Sequence, residues 1–514
     1  MKIAVFNRWW ATYGGGERYA GALAQALATD HDVDLLAPTP VDWDRLEERL
    51  GLDLSRTSPR AVPEDPFLLS AITREYDLLV TSSFMSAELN EARRGIYVVL
   101  FPGHDTSRYR LVKRAGARLL GPMLGEDGVS VLWGRGFHPL ERSGRRLFRW
   151  TGDRADLQLT LPAGVSTRVR LTFMAFRPRD VAPATVLVEV DGRVLARTTV
   201  GADLRPVDVA VDLVGHGSDE PIELVIRTDT FSLEDRGGDG RRLGVPLSAV
   251  QVGPGARAWL LGNFPFLADS RRSLDFLETY HRVVSISEFT RRWVQHRWGR
   301  ESHVIHPPVD FESGEHSKDQ LILSVGRFFG ERYGHSKKQL EMVRAFRTLV
   351  AGGLTGWELH LVGSCQAKHA EYLARVRAEA DGLPVHFHID ASGAALNALY
   401  RRASIYWHAA GLGESERRHP ERLEHFGITT VEAMGAGAVP IVIGKAGQTE
   451  IVQRAVNGHH FQSLAELVAR TRLVTGDAEL RRRLSAAARQ RATEFSTEKF
   501  AERVRALVAD VASA

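Results

Sequence analysis

Cysteine is nearly absent: Cys365 is the single one in 514 residues. No intrachain disulfide can form, and a Cys-rich structural zinc site is excluded. Long apolar runs are missing as well, since no stretch of about 18 apolar residues occurs to span a membrane as a helix. Charge of one sign is also lacking. A formal charge of +4 over this length makes no electrostatic case for nucleic-acid binding. Residues 2–7 are too short an apolar run, without a small-residue cleavage site, to read as a signal peptide. They read as a buried first strand, and a cytoplasmic location is the expectation.

What is present is ordinary globular material. Hydrophobic residues make up 44% and charged residues 25%, and the length exceeds one core, so two or three domains are expected. Short apolar runs at 3–6, 33–37, 78–81 and 96–101 alternate with helical spacing, as over 17–28. That order predicts a parallel sheet with right-handed crossovers. From about 128 to 253 the pattern changes to alternating runs at 157–161, 169–173, 186–190 and 222–226, with Asp191-Gly192 as a hairpin signal. This stretch reads as an inserted β-sandwich. Helical pattern returns over 270–280, followed by a strand at 283–287 and a helix from Glu288. Pro307-Pro308 and the polar residues to Ser317 read as a linker. A second α/β alternation has strands at 321–325, 359–362, 385–388, 405–408 and 439–443. The fold class expected is α/β, with two Rossmann-like domains and an all-β sandwich in the first. The segments are 1–127, 128–253, 254–310, 318–495 and a final helix, 496–514, that crosses back to the first domain.

The sharpest chemical signal is Glu424-His425-Phe426-Gly427-Ile428-Thr429-Thr430-Val431-Glu432, followed by Ala433-Met434-Gly435-Ala436-Gly437 and the strand from Val439. Gly427 should open a helix. Free amides and the positive dipole end at such a tip suit phosphate or hydroxyl groups, and the flanking carboxylates accept hydrogen bonds from opposite ends of one ligand. A capped core helix with two solvated glutamates is the bland reading.

This segment resembles the signature of glycosyltransferase family 4, the retaining enzymes of the GT-B fold. The wording Glu-His-Phe-Gly-Ile is close to the form seen in lipid-linked oligosaccharide mannosyltransferases and their bacterial relatives. The resemblance implies that Glu424 contacts hydroxyls of the transferred sugar. It also implies that amides near Phe426, Gly427, Ile428 and Thr429 hold sugar and phosphate, and that Glu432 binds the ribose. Upstream, Ser324-Val325-Gly326-Arg327-Phe328 and then Lys337 match the family's cationic clamp on the donor diphosphate. Two cations make sense there, because the departing diphosphate gains negative charge. The gap between them is longer than the family's common spacing, so Arg332 is an alternative to Arg327. Tyr13-Gly14-Gly15-Gly16-Glu17-Arg18 matches the family's glycine loop, with Gly15 and Gly16 near the donor phosphates. It is neither a GxGxxG fingerprint nor a P-loop. His104, after a strand end, matches a histidine that the family places close to the sugar. Ala446-Gly447-Gln448-Thr449-Glu450 matches a late glycine loop, with Ala446 where a glycine is usual.

The resemblance covers 1–105 and about 256–514. Residues 412–423 form an Arg- and Glu-rich insertion that reads as a lid or acceptor contact. Trp133 and Trp150 in the sandwich read either as sugar-stacking aromatics or as core. Arg108, Arg110, Lys113, Arg114 and Arg118 form a basic, partly amphipathic stretch. It reads as contact with the inner face of a membrane or as a solvated helix face. The expected activity is transfer of a hexose from a GDP-, UDP- or ADP-linked sugar to a glycan, lipid-linked or small-molecule hydroxyl, with a slight tilt toward GDP-mannose. No further cofactor and no metal are expected, since no Asp-x-Asp motif sits at a strand end in either half. A phosphorylase- or sucrose-synthase-like activity on the same fold is one rival, and a non-catalytic glycan-binding protein led by the sandwich is another.

Overall fold

The computed structural model describes residues 1–63, 66–84, 86, 88–103, 130–138, 141–143, 146–161, 163–203, 205–216, 221–232, 241–253, 275–311, 314–330 and 336–513. His104, the basic stretch from Arg108 to Arg118, the domain boundary expected near 128 and Arg332 lie outside them.

A seven-stranded parallel sheet has Lys2–Phe6 near its centre. On one side lie Leu78–Thr81, Arg94–Val99, Arg282–Ser285 and His303–Val304; on the other lie Asp32–Ala37 and Thr57–Ala61. The first strand is buried on both faces. Ile3 and Val5 enter one core, while Ala4 and Phe6 enter the other. That is how a strand covered on both sides reads as a continuous apolar run. Thr57–Ala61 contains Pro59, which hides it from a sequence reading; it forms the sheet edge, where a missing N–H costs no ladder bond. Strands Arg94–Val99 and Arg282–Ser285 are parallel neighbours although far apart in the chain. Over the expected helix at 270–280, the described part is a short 3₁₀ turn, Asp275–Thr279.

Between those two strands lie two five-stranded antiparallel sheets that share one core. Leu157, Leu171, Phe173, Val186, Val188 and Leu224 are fully buried in it. Alternation is the cause: in Ser166–Phe173 every second residue is buried. The Asp191-Gly192 turn joins Ala184–Val190 to Arg193–Val200, both turn residues having positive φ (50° and 74°), as a two-residue hairpin of this twist requires. Trp150 is buried with Phe148 and Leu243. Trp133 is half-buried beside Phe137, with the Arg149 guanidinium over its ring.

The second parallel sheet has six strands, in the order Val385–Ile389, Glu358–Gly363, Leu321–Val325, Ile405–His408, Val439–Ile443 and His459–Phe461. The last helix of the chain, Thr497–Ser513, leaves this domain and packs on the first. Its Phe500, Val504, Val508 and Val511, spaced by three and four, join the core that holds Tyr19 and Leu23. Arg282 pairs with Asp510 at 3.0 Å beside it. Among the described residues, no helix is long and apolar enough to cross a membrane.

Candidate functional site

The site is built where the tips of two helices from different domains meet. Helix Gly15–Leu27 begins in the glycine loop, and helix Ile428–Gly435 begins in the signature. They approach so closely that a Cβ on Gly15 would lie 3.6 Å from the Ile428 side chain. Gly427 caps the second helix at φ 123°, a conformation closed to other residues, and a Cβ there would collide with the Gln448 amide. That amide donates to the Phe426 carbonyl and accepts from the Thr430 hydroxyl. Ala446 holds φ 51°, so the residue standing where a glycine is usual has taken the left-handed conformation that glycine adopts freely.

The carboxylate of Glu424, just ahead of the signature helix, is held by two side chains. Lys337 Nζ donates to Glu424 Oε2, and His408 Nε2 lies 3.2 Å from the same oxygen. Lys337 reaches it because Gly326 has no side chain; a Cβ there would come within 2.7 Å of the Lys337 stem. Burial opposes ionisation of Glu424. The Lys337 charge and the His408 contact outweigh it and hold the carboxyl well below its usual range. His408 is buried, and burial pushes its imidazole below the ordinary value despite the carboxylate beside it. It therefore stays neutral near pH 7, and its Nδ1 is buried without a partner.

These directions fix a pH dependence. His408 takes up a proton near pH 6.5 when unfolded and only at lower pH when folded. Between those values the unfolded chain binds more protons, so stability falls as pH drops below about 6.5. Glu424 shifts in the same direction: its stabilisation is complete above the unfolded value of about 4.3 and is lost as pH falls through its folded value. Thermal melts of the wild type and His408→Asn between pH 7.5 and 5 should therefore converge, with the wild type losing more. A constant gap would contradict a neutral, buried His408.

Glu432 lies on the same helix as the Gly427 tip, but other groups hold it. Arg18 donates to Oε1 at 3.0 Å and Tyr400 OH to Oε2 at 2.7 Å, while Arg18 also reaches Asp310 at 3.1 Å. Arg18 comes from the glycine-loop helix, so this pair bridges the domains. Glu450 forms a second bridge. It accepts from the amides of Glu288 and Phe289 at 2.7 and 2.6 Å, at the N-terminus of helix Glu288–Trp298 in the first domain. His425 stacks on Phe101 across the same seam, with centroids 4.0 Å apart.

Arg327 follows Gly326, and its side chain is exposed. It lies over the Phe329 ring and lines a hollow with Ser364, Gln366, Lys368 and His369. Phe426 is a core residue, packed with Val431, Met434 and Phe495, so only its backbone faces the helix tip. Ile428 and Thr429 are half-buried at that tip, and Thr429 Oγ1 accepts from Tyr406 OH at 2.7 Å. A Cβ on Gly16 would clash with Leu100, which explains the second glycine by packing. The 412–423 insertion reaches the first domain through Glu416 to Arg292 (3.7 Å) and Glu421 to Arg297 (3.5 Å). Sequence reasoning passed over Arg18, Tyr400 and His408 as site residues. The available signal for His408 was its place at the C-terminal end of a central strand, where open α/β sheets bind ligands.

Residues 307–491 match the family model of glycosyl transferases group 1. That span contains Arg327, Lys337, Glu424 and Glu432. Among solved structures the chain is similar to Anabaena Alr3699/HepE in complex with UDP, at 12% identity over 99% of this chain and 100% of that one, TM-score 0.53. It is similar to sucrose-phosphate synthase from Thermosynechococcus elongatus, at 13% identity over 99% and 98%, TM-score 0.51. A glycosyltransferase from Rickettsia africae ESF-5 is similar at 10% identity over 99% and 98%, TM-score 0.52. The fold is GT-B. Together with the group 1 match, these likenesses support a GT-B glycosyltransferase. No curated protein matches the chain in sequence. In GT-B terms, the Gly15–Ile428 contact lies at the seam between the two Rossmann-like domains, and the Lys337–Glu424–His408 cluster belongs to the second, with Glu424 next to His425 of that seam.

Proposed function

We propose that the chain is a retaining glycosyltransferase of family 4 type. It would move a hexose from a nucleotide diphosphate sugar to a hydroxyl of a glycan, lipid-linked or small-molecule acceptor. The observation that carries this reading is the meeting of two helix tips from opposite domains beside a lysine and a half-buried carboxylate. Amide-rich tips and Lys337 suit a diphosphate, and Glu424 suits sugar hydroxyls. A bound diphosphate would supply Lys337 with a second anion, while sugar hydroxyls donate to the Glu424 oxygens. Ribose hydroxyls would share Glu432 with Arg18 and Tyr400. Arg327 packs over Phe329, and its part in the clamp is to reach the diphosphate from there.

In the reaction, the acceptor oxygen forms a bond to the anomeric carbon on the face from which the diphosphate leaves. The carbon–oxygen bond to the diphosphate breaks, its electron pair stays on the phosphate oxygen, and that oxygen takes the acceptor's proton. Charge neutralisation by Lys337 and Arg327 lowers the barrier as the pyrophosphate departs. The domain bridges through Arg18 and Glu450 support a closed cleft that limits hydrolysis of the donor.

The similar Anabaena structures hold UDP and UDP-glucose, so UDP is the first nucleotide to test beside GDP and ADP. One of the three should raise the melting temperature and compete with its own sugar donor. Proton NMR of the transfer product should show the donor's anomeric configuration. An inverted product would overturn the retaining assignment, and indifference to all three nucleotides would overturn the transferase reading.

A further inference from the structure

The outer edge of the second sheet carries four polar side chains that the transfer chemistry does not use. Strands Glu358–Gly363 and Val385–Ile389 are parallel neighbours, with His360 opposite His386 and Val362 opposite His388. Side chains two apart on a strand share a face, so this register puts Glu358, His360, His386 and His388 together. Leu359, Leu361 and Phe387, on the other face, join the domain core.

The distances are those of a ligand set. Glu358 Oε2 lies 3.0 Å from His360 Nε2 and 3.5 Å from His386 Nε2. Donors around a tetrahedral zinc, with bonds of about 2.0–2.1 Å, stand about 3.3 Å apart. Among the described residues, this is the group of histidine and acidic side chains whose donor atoms all lie within 4.8 Å of one another. His360 Nδ1 lies 3.0 Å from His388 Nε2. A ligating histidine needs such a partner on its second nitrogen to fix tautomer and ring orientation. His360 is buried, whereas the Glu358 and His386 side chains are 47% and 48% exposed, which leaves a path for an ion.

We propose that Glu358, His360 and His386 bind a borderline divalent cation of the zinc class, with His388 as the orienting partner of His360. Mixed imidazole and carboxylate donors favour zinc over magnesium or calcium. Three protein ligands leave one position for water. The site lies toward the N-terminal ends of these strands: Glu358 is the first residue of its strand, whereas Gly326, under the Lys337 stem, follows the last residue of its own. It is therefore separate from the transfer site, and its effect is to pin the edge strand Val385–Ile389 to its neighbour.

The test uses the full chain after dialysis against a chelator. Competition with a chromophoric zinc chelator should give one zinc equivalent per chain. Cobalt(II) should bind with the visible absorption of a four-coordinate nitrogen and oxygen site. His386→Ala and Glu358→Gln should each weaken zinc binding more than tenfold. His388→Ala should weaken it by about 10–100-fold, the range for a lost orienting partner. Changing the exposed His303 to Ala should leave it unaltered. Melts in the presence of chelator show that each variant is folded, and zinc should raise the melting temperature of the wild type and of His303→Ala more than that of the three site variants. Zinc binding that none of the three variants weakens, or no saturable binding by the wild type, would overturn the site and leave a hydrogen-bonded ladder of histidines.

Discussion

Replacing Glu424 with Ala should abolish sugar transfer in practice, lowering turnover by about 10²–10³-fold or more, while nucleotide diphosphate binding stays within a few-fold of wild type. The magnitude is that of removing one preorganised polar group from the reacting centre. The split between turnover and binding follows from position. In the proposed arrangement Glu424 would face the sugar, whereas Lys337 and the helix tips would hold the phosphate. Glu424 is also the acceptor for His408 Nε2 at 3.2 Å. An alanine leaves that buried nitrogen unpaired, which costs about 1–3 kcal/mol. Glu424→Gln keeps an acceptor for His408 and removes only the charge, so it separates lost chemistry from lost folding. Steady-state rates for both variants, with nucleotide binding by calorimetry, decide the matter. Unaltered turnover in the glutamine variant would end the assignment of Glu424 to the reacting sugar.

Lys337→Ala should act on the other parameter. Loss of a charged hydrogen bond to phosphate is worth about 1.5–3 kcal/mol, so nucleotide diphosphate affinity should fall by about 10–100-fold. Turnover should fall as well, because Lys337 also stabilises the departing diphosphate. A second consequence is peculiar to this geometry. Lys337 is the leading influence that opposes burial and keeps Glu424 ionised. Without it, the Glu424 carboxyl should titrate at higher pH, and the acid limb of the rate profile should move upward. Lys337→Arg should rescue poorly, since the lysine stem lies directly against Gly326 and a branched planar head does not follow the same path. Nucleotide affinity in Lys337→Ala equal to that of wild type would remove Lys337 from the diphosphate clamp.

Much of the architecture was legible in sequence because it rests on local periodicity. The runs at 3–6, 78–81, 321–325, 405–408 and 439–443 are strands buried on both faces, and unbroken apolar composition marks such strands. The alternation in 166–173 and the Asp191-Gly192 turn revealed an antiparallel module in the same way. The Gly427 helix start was visible because one residue type alone tolerates its backbone angle. Less legible were elements that break local rules for a positional reason. Thr57–Ala61 is a strand with a proline, allowed by its edge position.

The partners of the candidate site were of another kind. Arg18 and Glu432 stand 414 residues apart and meet because two helix tips pack across a domain seam. The Glu450 carboxylate serves as a cap for a helix in the other domain, 161 residues from Phe289. The core packing of the Phe426 side chain and the place of Arg327 over Phe329 were likewise set by the fold. The glutamate and histidines at 358, 360, 386 and 388 became a cluster only once two strands paired in register.

By itself, the chain's order of residues determined which segments are strands and helices and where a phosphate-friendly helix tip lies, since these depend on neighbours a few positions away. Which charges face one another was decided only by the tertiary structure. Ion pairs and ligand sets form between side chains that share no local period, and only the packing of sheet on helix and domain on domain brings them within bonding distance.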